Sequence, residues 1–200
     1  VTFYSKENPA IQGYLDYLLY APDKNRRRAT GIENGIVTLA DSIAARIHQN
    51  PLTAGLIRFE DNTSYRVTEE IALLLAAYEL TSREAYRDAA SLGMDYLFGM
   101  NRLGQSFVTG LGDQTVTQPF HRRFANKNRL IPGLLVYGPN SAANDGLTTP
   151  GLKDLSYVDH PRAWSSNGFT LLNNANLAYT LGVLNAAYNL SVGKQQAPAE

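Results

Sequence analysis

The sequence predicts an all-α protein of helical hairpins, interrupted by one long loop excursion. Three observations carry this reading. Apolar residues recur at helical spacing through the first hundred residues and again after about residue 167. Prolines punctuate the periodic stretches, at Pro9, Pro22 and Pro51. Between Asn101 and about Ser165 the periodicity lapses, and Gly, Pro, Asn, Asp and Thr take over.

The elements follow in order. Ile11, Tyr14, Leu15, Leu18 and Leu19 form one helical stripe, with Pro9 near its start and Pro22 after its end. The basic stretch KNRRR then reads as a solvated loop, too short for a nucleic-acid arm. A second helix carries Ile32, Ile36, Leu39, Ile43 and Ile47 and stops before Pro51, with His48 complementing the dipole at its C-terminal end. A third, SYRVTEEIALLLAAYELT, is almost wholly apolar from Ile71 to Tyr78 and predicts burial on more than one side. Ser82 is the expected N-cap of a fourth helix that reaches about Met100. The last helix spans about 167–190, with Asn167 at its N-cap. Asn173 and Asn174 are poor helix formers in its early turns, so another demand must fix their amides there. Residues 1–190 thus read as one helical domain and 191–200 as a tail or linker.

Irregular segments as long as 101–165 are functional or disordered in compact domains. The anchors Phe107, Leu111, Phe120, Leu134, Leu135 and Val136 predict that this one is ordered.

Composition removes several classes of function. Lys plus Arg number 18 and Asp plus Glu number 18, so no global field recruits nucleic acid or an anionic membrane. No apolar run approaches the ~18 residues of a membrane span. The absence of cysteine excludes disulfides and thiolate metal sites but does not fix the compartment. His48, His121 and His160 are too scattered to make a metal site by spacing, and phosphate-loop and dinucleotide signatures are absent, so no cofactor is expected. A chain opening on Val reads as mature or trimmed.

Two polar stretches remain as candidate sites. In Pro119-Phe-His121-Arg122-Arg123, two guanidiniums beside an imidazole suit planar recognition of hydroxyls or carboxylates, or else tie the loop's own carbonyls. The second, from Tyr157 through Asp159 and Trp164 to Asn167, is a polar aromatic run leading into the last helix.

From about Ile71 to Tyr188 the chain resembles the C-terminal half of a glycoside hydrolase family 9 (cellulase E family) catalytic domain. Asp95-Tyr-Leu-Phe-Gly-Met-Asn101 resembles the family's Asp-Tyr-Leu-Leu-Gly-Arg-Asn. Ser106-Phe-Val-Thr-Gly-Leu-Gly112 is similar to Ser-Phe/Tyr-Val-Thr-Gly-Phe-Gly, and Pro119-Phe-His121-Arg122 to Pro-His-His-Arg. Pro132-Gly-Leu-Leu-Val-Tyr137-Gly-Pro-Asn140 resembles Pro-Gly-Leu-Leu-Val-Gly-Gly-Pro-Asn.

The resemblance implies an (α/α)6 toroid, or its C-terminal part, whose loops build a cleft for a β-1,4-linked oligo- or polysaccharide. His121, Arg122, Tyr157, Asp159 and Asn167 would bind that substrate, in a secreted or extracellular setting. Such inverting enzymes need a general acid and a general base. The acid is the Glu of an Asn-Glu-Val-Ala-Ile run, which matches Asn167-Gly168-Phe-Thr-Leu171 without gaps, so Gly168 stands at the acid position. The base motif, Asp-Ala-Gly-Asp in the family's N-terminal half, is missing. The resemblance therefore implies a pseudoenzyme that binds glucan without turnover. The alternative is a structural or self-assembling protein on the same scaffold. Half a toroid would leave an apolar face bare, implying a homo-oligomer or a missing N-terminal half.

Overall fold

The structure is a computed structural model that describes residues 10–121 and 130–196. Five helices carry it: α1 (Ala10–Tyr20), α2 (Arg26–Gln49), α3 (Thr63–Thr81), α4 (Glu84–Leu97) and α5 (Leu171–Gln196). Single 3-10 turns lie at Pro51–Thr53 and Lys153–Leu155. Among the described residues there is no strand, only three isolated bridges.

α3 is the central helix and packs against α2, α4 and α5. Its apolar run explains this. Val67, Ile71, Leu74, Leu75 and Ala77 are all buried, and so are Thr63, Ser64 and Thr68 on its first turns. Burying a Leu or Ile side chain contributes roughly 1.5–3 kcal/mol, so this helix holds much of the core's stabilisation. α2 adds Ile36, Ile43 and Ile47, and α4 adds Tyr86, Ala89, Ala90, Met94 and Leu97. α3 and α4 approach closely at Gly93, where an added Cβ would lie 2.9 Å from Ile71 Cγ1.

Three local expectations are corrected. The arginines of KNRRR are exposed but helical. Asn25 Oδ1 accepts from Arg28 N at 3.1 Å and opens α2 there. That cap outweighs the unfavourable placing of cations at a helix N-terminus, a term solvent screens. Ser82 closes α3 instead of opening α4: it is left-handed (φ 56°) and its N–H donates to Tyr78 O. A two-residue reversal follows, and α4 starts at Glu84, whose carboxylate suits the positive end of the dipole. Asn167 does not cap α5, which begins at Leu171, where Thr170 Oγ1 accepts from Asn173 N at 3.2 Å.

The stretch 101–165 is ordered across its described residues. Asn101 ties off α4 by donating to Tyr96 O and Gln105 O and accepting from Leu103 N. Extended pieces then run side by side: Phe107 N donates to Leu97 O, Val136 N to Phe107 O, Tyr137 N to Gly168 O, and Phe120 N to Asn167 O. Phe107, Leu135 and Val136 are fully buried anchors, whereas Leu111 is 42% exposed.

Among its described side chains, α5 buries one stripe, made of Asn173, Leu177, Thr180, Leu184 and Ala187. Its other side presents Leu171, Leu172, Tyr179 and Leu181 outward.

Candidate functional site

The N-terminus of α3 and the start of α5 meet through an amide pair. Asn62 Nδ2 donates to Asn173 Oδ1 at 2.7 Å, and Asn173 Nδ2 returns a bond to Asn62 Oδ1 at 2.9 Å. Asn62 also caps α3 by accepting from Tyr65 N. This is the demand that holds Asn173 in a helix. Asn174 meets a second one, its Oδ1 accepting from Leu135 N at 3.0 Å.

Beside this joint lies a cavity of about 600 Å³. Asp61, Asn62 and Tyr65 line it from the α3 side, and Gly168, Phe169, Thr170 and Leu172 from the α5 side. Phe120, His121, Tyr137 and Trp164 come from the loops. His121 stacks on Phe169 with ring centroids 5.1 Å apart and planes at 18°. Asp61 brings the cavity's only carboxylate among the described residues and sits at φ 61°, a left-handed conformation uncommon outside glycine. Burial, and then the charge of Asp61, raises the Tyr137 hydroxyl pKa; burial, and then Glu69, raises that of Tyr65. Both phenols stay protonated at neutral pH; Tyr65 gives its proton to Glu69 and offers a ligand its oxygen, while the Tyr137 hydroxyl can donate.

A second group sits behind the loop. Tyr157 OH donates to Asn167 Oδ1 at 2.7 Å, and Asn167 Nδ2 donates to Asp159 Oδ1 at 3.0 Å. Asp159 also accepts from Thr117 N, Thr117 Oγ1 and Gln118 N at 2.7–2.9 Å. Burial, reinforced by Asp159, drives the Tyr157 pKa well up. With its oxygens engaged by four donors, Asp159 clasps residues 117–118, just before Phe120 and His121.

Of the residues singled out from sequence, the structure places His121 and Gly168 in the cavity wall. Tyr157, Asp159 and Asn167 form the clasp, and Arg122 lies outside the described residues. Asp61 and Tyr65 escape sequence reading because nothing local marks them, whereas Tyr137 is marked by its departure from the family's Val-Gly-Gly-Pro. Among the described residues, no group of three or more His, Cys, Asp or Glu side chains could hold a metal ion.

Helical hairpins bearing long ordered loops around an aromatic cavity define a class, that of the helical-toroid proteins. The model of glycosyl hydrolase family 9 matches residues 10–181, and the chain belongs to that family. It is 31% identical over 178 residues to the xyloglucan-specific endo-beta-1,4-glucanase of Bacteroides ovatus, covering 85% of this chain and 30% of that protein. It is 37% identical over 129 residues to endoglucanase C of Cellulomonas fimi, covering 58% of this chain and 12% of that one. The crystal structure of a metagenome-derived family 9 endoglucanase superposes with a TM-score of 0.84 at 28% identity, over 90% of this chain and 33% of that one. The fold is accordingly all-α and corresponds to part of the (α/α)6 barrel of these relatives, about a third of their chain in the structural match.

Proposed function

We propose that the cavity binds a β-1,4-linked oligo- or polysaccharide and does not hydrolyse it. The observation that carries this reading is Gly168, the acid position by the motif match, which is buried and has no side chain to give a proton, while rings surround the space beside it. A sugar ring offers an apolar C–H face and a rim of hydroxyls. The Phe120, Trp164 and Phe169 rings suit the first, and the Asn62 amide and the Tyr65 and Tyr137 hydroxyls suit the second. Inversion needs two carboxylates roughly 6.5–9.5 Å apart. Asp61 alone does not meet that requirement. Relatives named as a xyloglucan-specific endo-beta-1,4-glucanase and as an endoglucanase support the ligand class. Arg122, next to His121 in sequence, adds a charge-assisted donor to sugar hydroxyls, and Tyr157, Asp159 and Asn167 serve the ligand by holding residues 117–118 ahead of His121. A secreted setting goes with the polymeric ligand.

The test is calorimetry with cellotetraose and a xyloglucan oligosaccharide, run beside reducing-sugar assays on carboxymethylcellulose and xyloglucan. Binding without release above buffer is expected. Removing Arg122 with alanine should weaken binding about tenfold, since a charged hydrogen bond contributes about 1.5–3 kcal/mol. Reducing-sugar release by the pure chain refutes the reading.

A second reading, a self-assembling scaffold, is favoured by the exposed apolar side of α5, where Leu171 is 87% and Tyr179 58% exposed. Covering that side by a second copy or a complementing polypeptide predicts an oligomer at micromolar concentration by light scattering. Tyr179→Glu should shift it to monomer. A wild-type monomer counts against assembly.

A further inference from the structure

Gly168 is buried in the cavity wall, yet its φ is not positive, so its backbone does not call for glycine. Space does. A Cβ there would lie 2.7 Å from Tyr137 Cε2, 3.1 Å from Tyr137 Cδ2 and 2.8 Å from the carbonyl oxygen of Trp164. All three distances are tighter than ordinary van der Waals contact. Neither chain segment can back away as a unit. Tyr137 N donates to Gly168 O at 2.8 Å, Gly138 N to Ser166 O at 3.0 Å, and Ser64 N to Tyr137 O at 2.9 Å. Gly138 is pressed in turn on α3, where an added Cβ would meet Ser64 Oγ at 2.6 Å. Relief at position 168 therefore requires the Tyr137 ring to rotate away, and the Trp164 carbonyl to shift with it.

That ring is half-buried and lines the cavity, with Asp61 close enough to raise its hydroxyl pKa. Tyr137 also stands in the motif that otherwise reads Val-Gly-Gly-Pro. We propose that Tyr137 and Gly168 are a matched pair, in which the Tyr137 ring takes the space a side chain at 168 would need and forms the wall on which a bound sugar ring packs. Tyr137 is then the residue that sets the shape of the pocket, and a carboxylate restored at position 168 alone collides with it. The identity of the ligand rests on the glucan reading above; the pairing does not.

The experiment compares wild type, Tyr137→Ala, Tyr137→Phe, Gly168→Ala and the Tyr137→Ala/Gly168→Ala double variant by thermal melting and by cellotetraose calorimetry. Gly168→Ala is expected to lower the melting temperature by about 4 °C or more, the range of an overpacked site. In the Tyr137→Ala background the same change should cost clearly less, the Trp164 carbonyl contact being what remains. An equal penalty in both backgrounds overturns the pairing. Tyr137→Ala should weaken cellotetraose binding about tenfold, as loss of a buried ring face would. Tyr137→Phe, which keeps the ring, should bind nearly as wild type. Full binding by Tyr137→Ala, or equal loss in both tyrosine variants, overturns the packing role without Gly168 being touched. If wild type binds no cellotetraose, the glucan reading and the packing role fall together, and the melting cycle still decides the pairing.

Discussion

Asn173→Ala tests the joint between the two helix starts that frame the cavity. Asn173 is fully buried, and its amide makes three side-chain bonds: two with Asn62 at 2.7 and 2.9 Å, and one accepted from Thr170 Oγ1 at 2.7 Å. At a net contribution of about 1 kcal/mol each, their loss amounts to about 3 kcal/mol. Alanine returns roughly 0.5 kcal/mol as the better helix former. Asn62 is left short of partners but borders the cavity, so water reaches it and the penalty for stranding it is small. The expected cost is about 2–3 kcal/mol, which for a domain of this size lowers the melting temperature by about 4–12 °C. Asn62→Ala adds the loss of the α3 cap. In a double-mutant cycle the two inter-amide bonds are counted twice by the single variants. Their summed cost should therefore exceed that of the double variant by about 2 kcal/mol. Urea denaturation gives each term, and additivity within about 0.5 kcal/mol would refute the claim that the pair works as a unit.

Three further outcomes follow from the same geometry. Gly93→Ala gains about 1 kcal/mol of helix propensity but drives a methyl toward Ile71, which costs about 1–3 kcal/mol, so net destabilisation is expected by urea melt, with a stabilised variant as the refuting result. At Asp145, burial acts to raise the pKa, but donors from Ser165, Thr148 and Leu147 outweigh it and hold the group down at about 2. A depressed carboxylate contributes its stability above the unfolded value of about 3.9 and loses it as the pH falls through about 2. Asp145→Asn should therefore cost about 1–2 kcal/mol at pH 7 after solvent screening, and the gap to wild type should close between about pH 4 and 2. A gap that stays constant with pH would show that the charge is not what the donors recognise. Asp159→Ala frees residues 117–118, whose N–H groups lie exposed and can turn to water, so melting should fall only slightly while cellotetraose binding weakens through the loosened His121 loop. A large melting loss with unchanged binding would make the clasp purely structural.

The helices were legible in the sequence wherever burial repeats at helical spacing, as from Ile32 to Ile47 and from Ile71 to Tyr78. Their ends were less so, because capping depends on single side chains whose partners are set by the chain's direction. Ser82 carries a good N-cap hydroxyl, yet a left-handed backbone at that point turns α3 back on itself and uses the residue to end a helix. Asn25 makes a helix of three arginines that composition assigns to solvent. On α5 the spacing of apolar residues promised one stripe, and the packed one runs through Asn173 and Thr180 while leucines face outward. A polar pair that satisfies itself can occupy a core stripe, and hydropathy cannot register that.

The site divides along the same line. Motif order singled out both His121 and Gly168, and the fold brings them into one wall. Tyr157, Asp159 and Asn167 belong to those motifs too, yet their hydrogen bonds run inward, and only three-dimensional geometry separates a residue that meets a ligand from one that holds the residue meeting it. Tyr137 marks the far end of this scale. By itself a tyrosine in place of the family's glycine does not say what it meets, and neither does a glycine four residues after a tryptophan. Set against each other across hydrogen-bonded backbone, they fit together: the ring occupies the space that a side chain at 168 would need, and that ring together with the Trp164 carbonyl leaves residue 168 no room for one. A carboxylate at position 168 would thus need a change at Tyr137 as well, with each alone costing stability or leaving a void, and inversion would still need a second carboxylate. That makes the aromatic wall a self-maintaining feature of the fold.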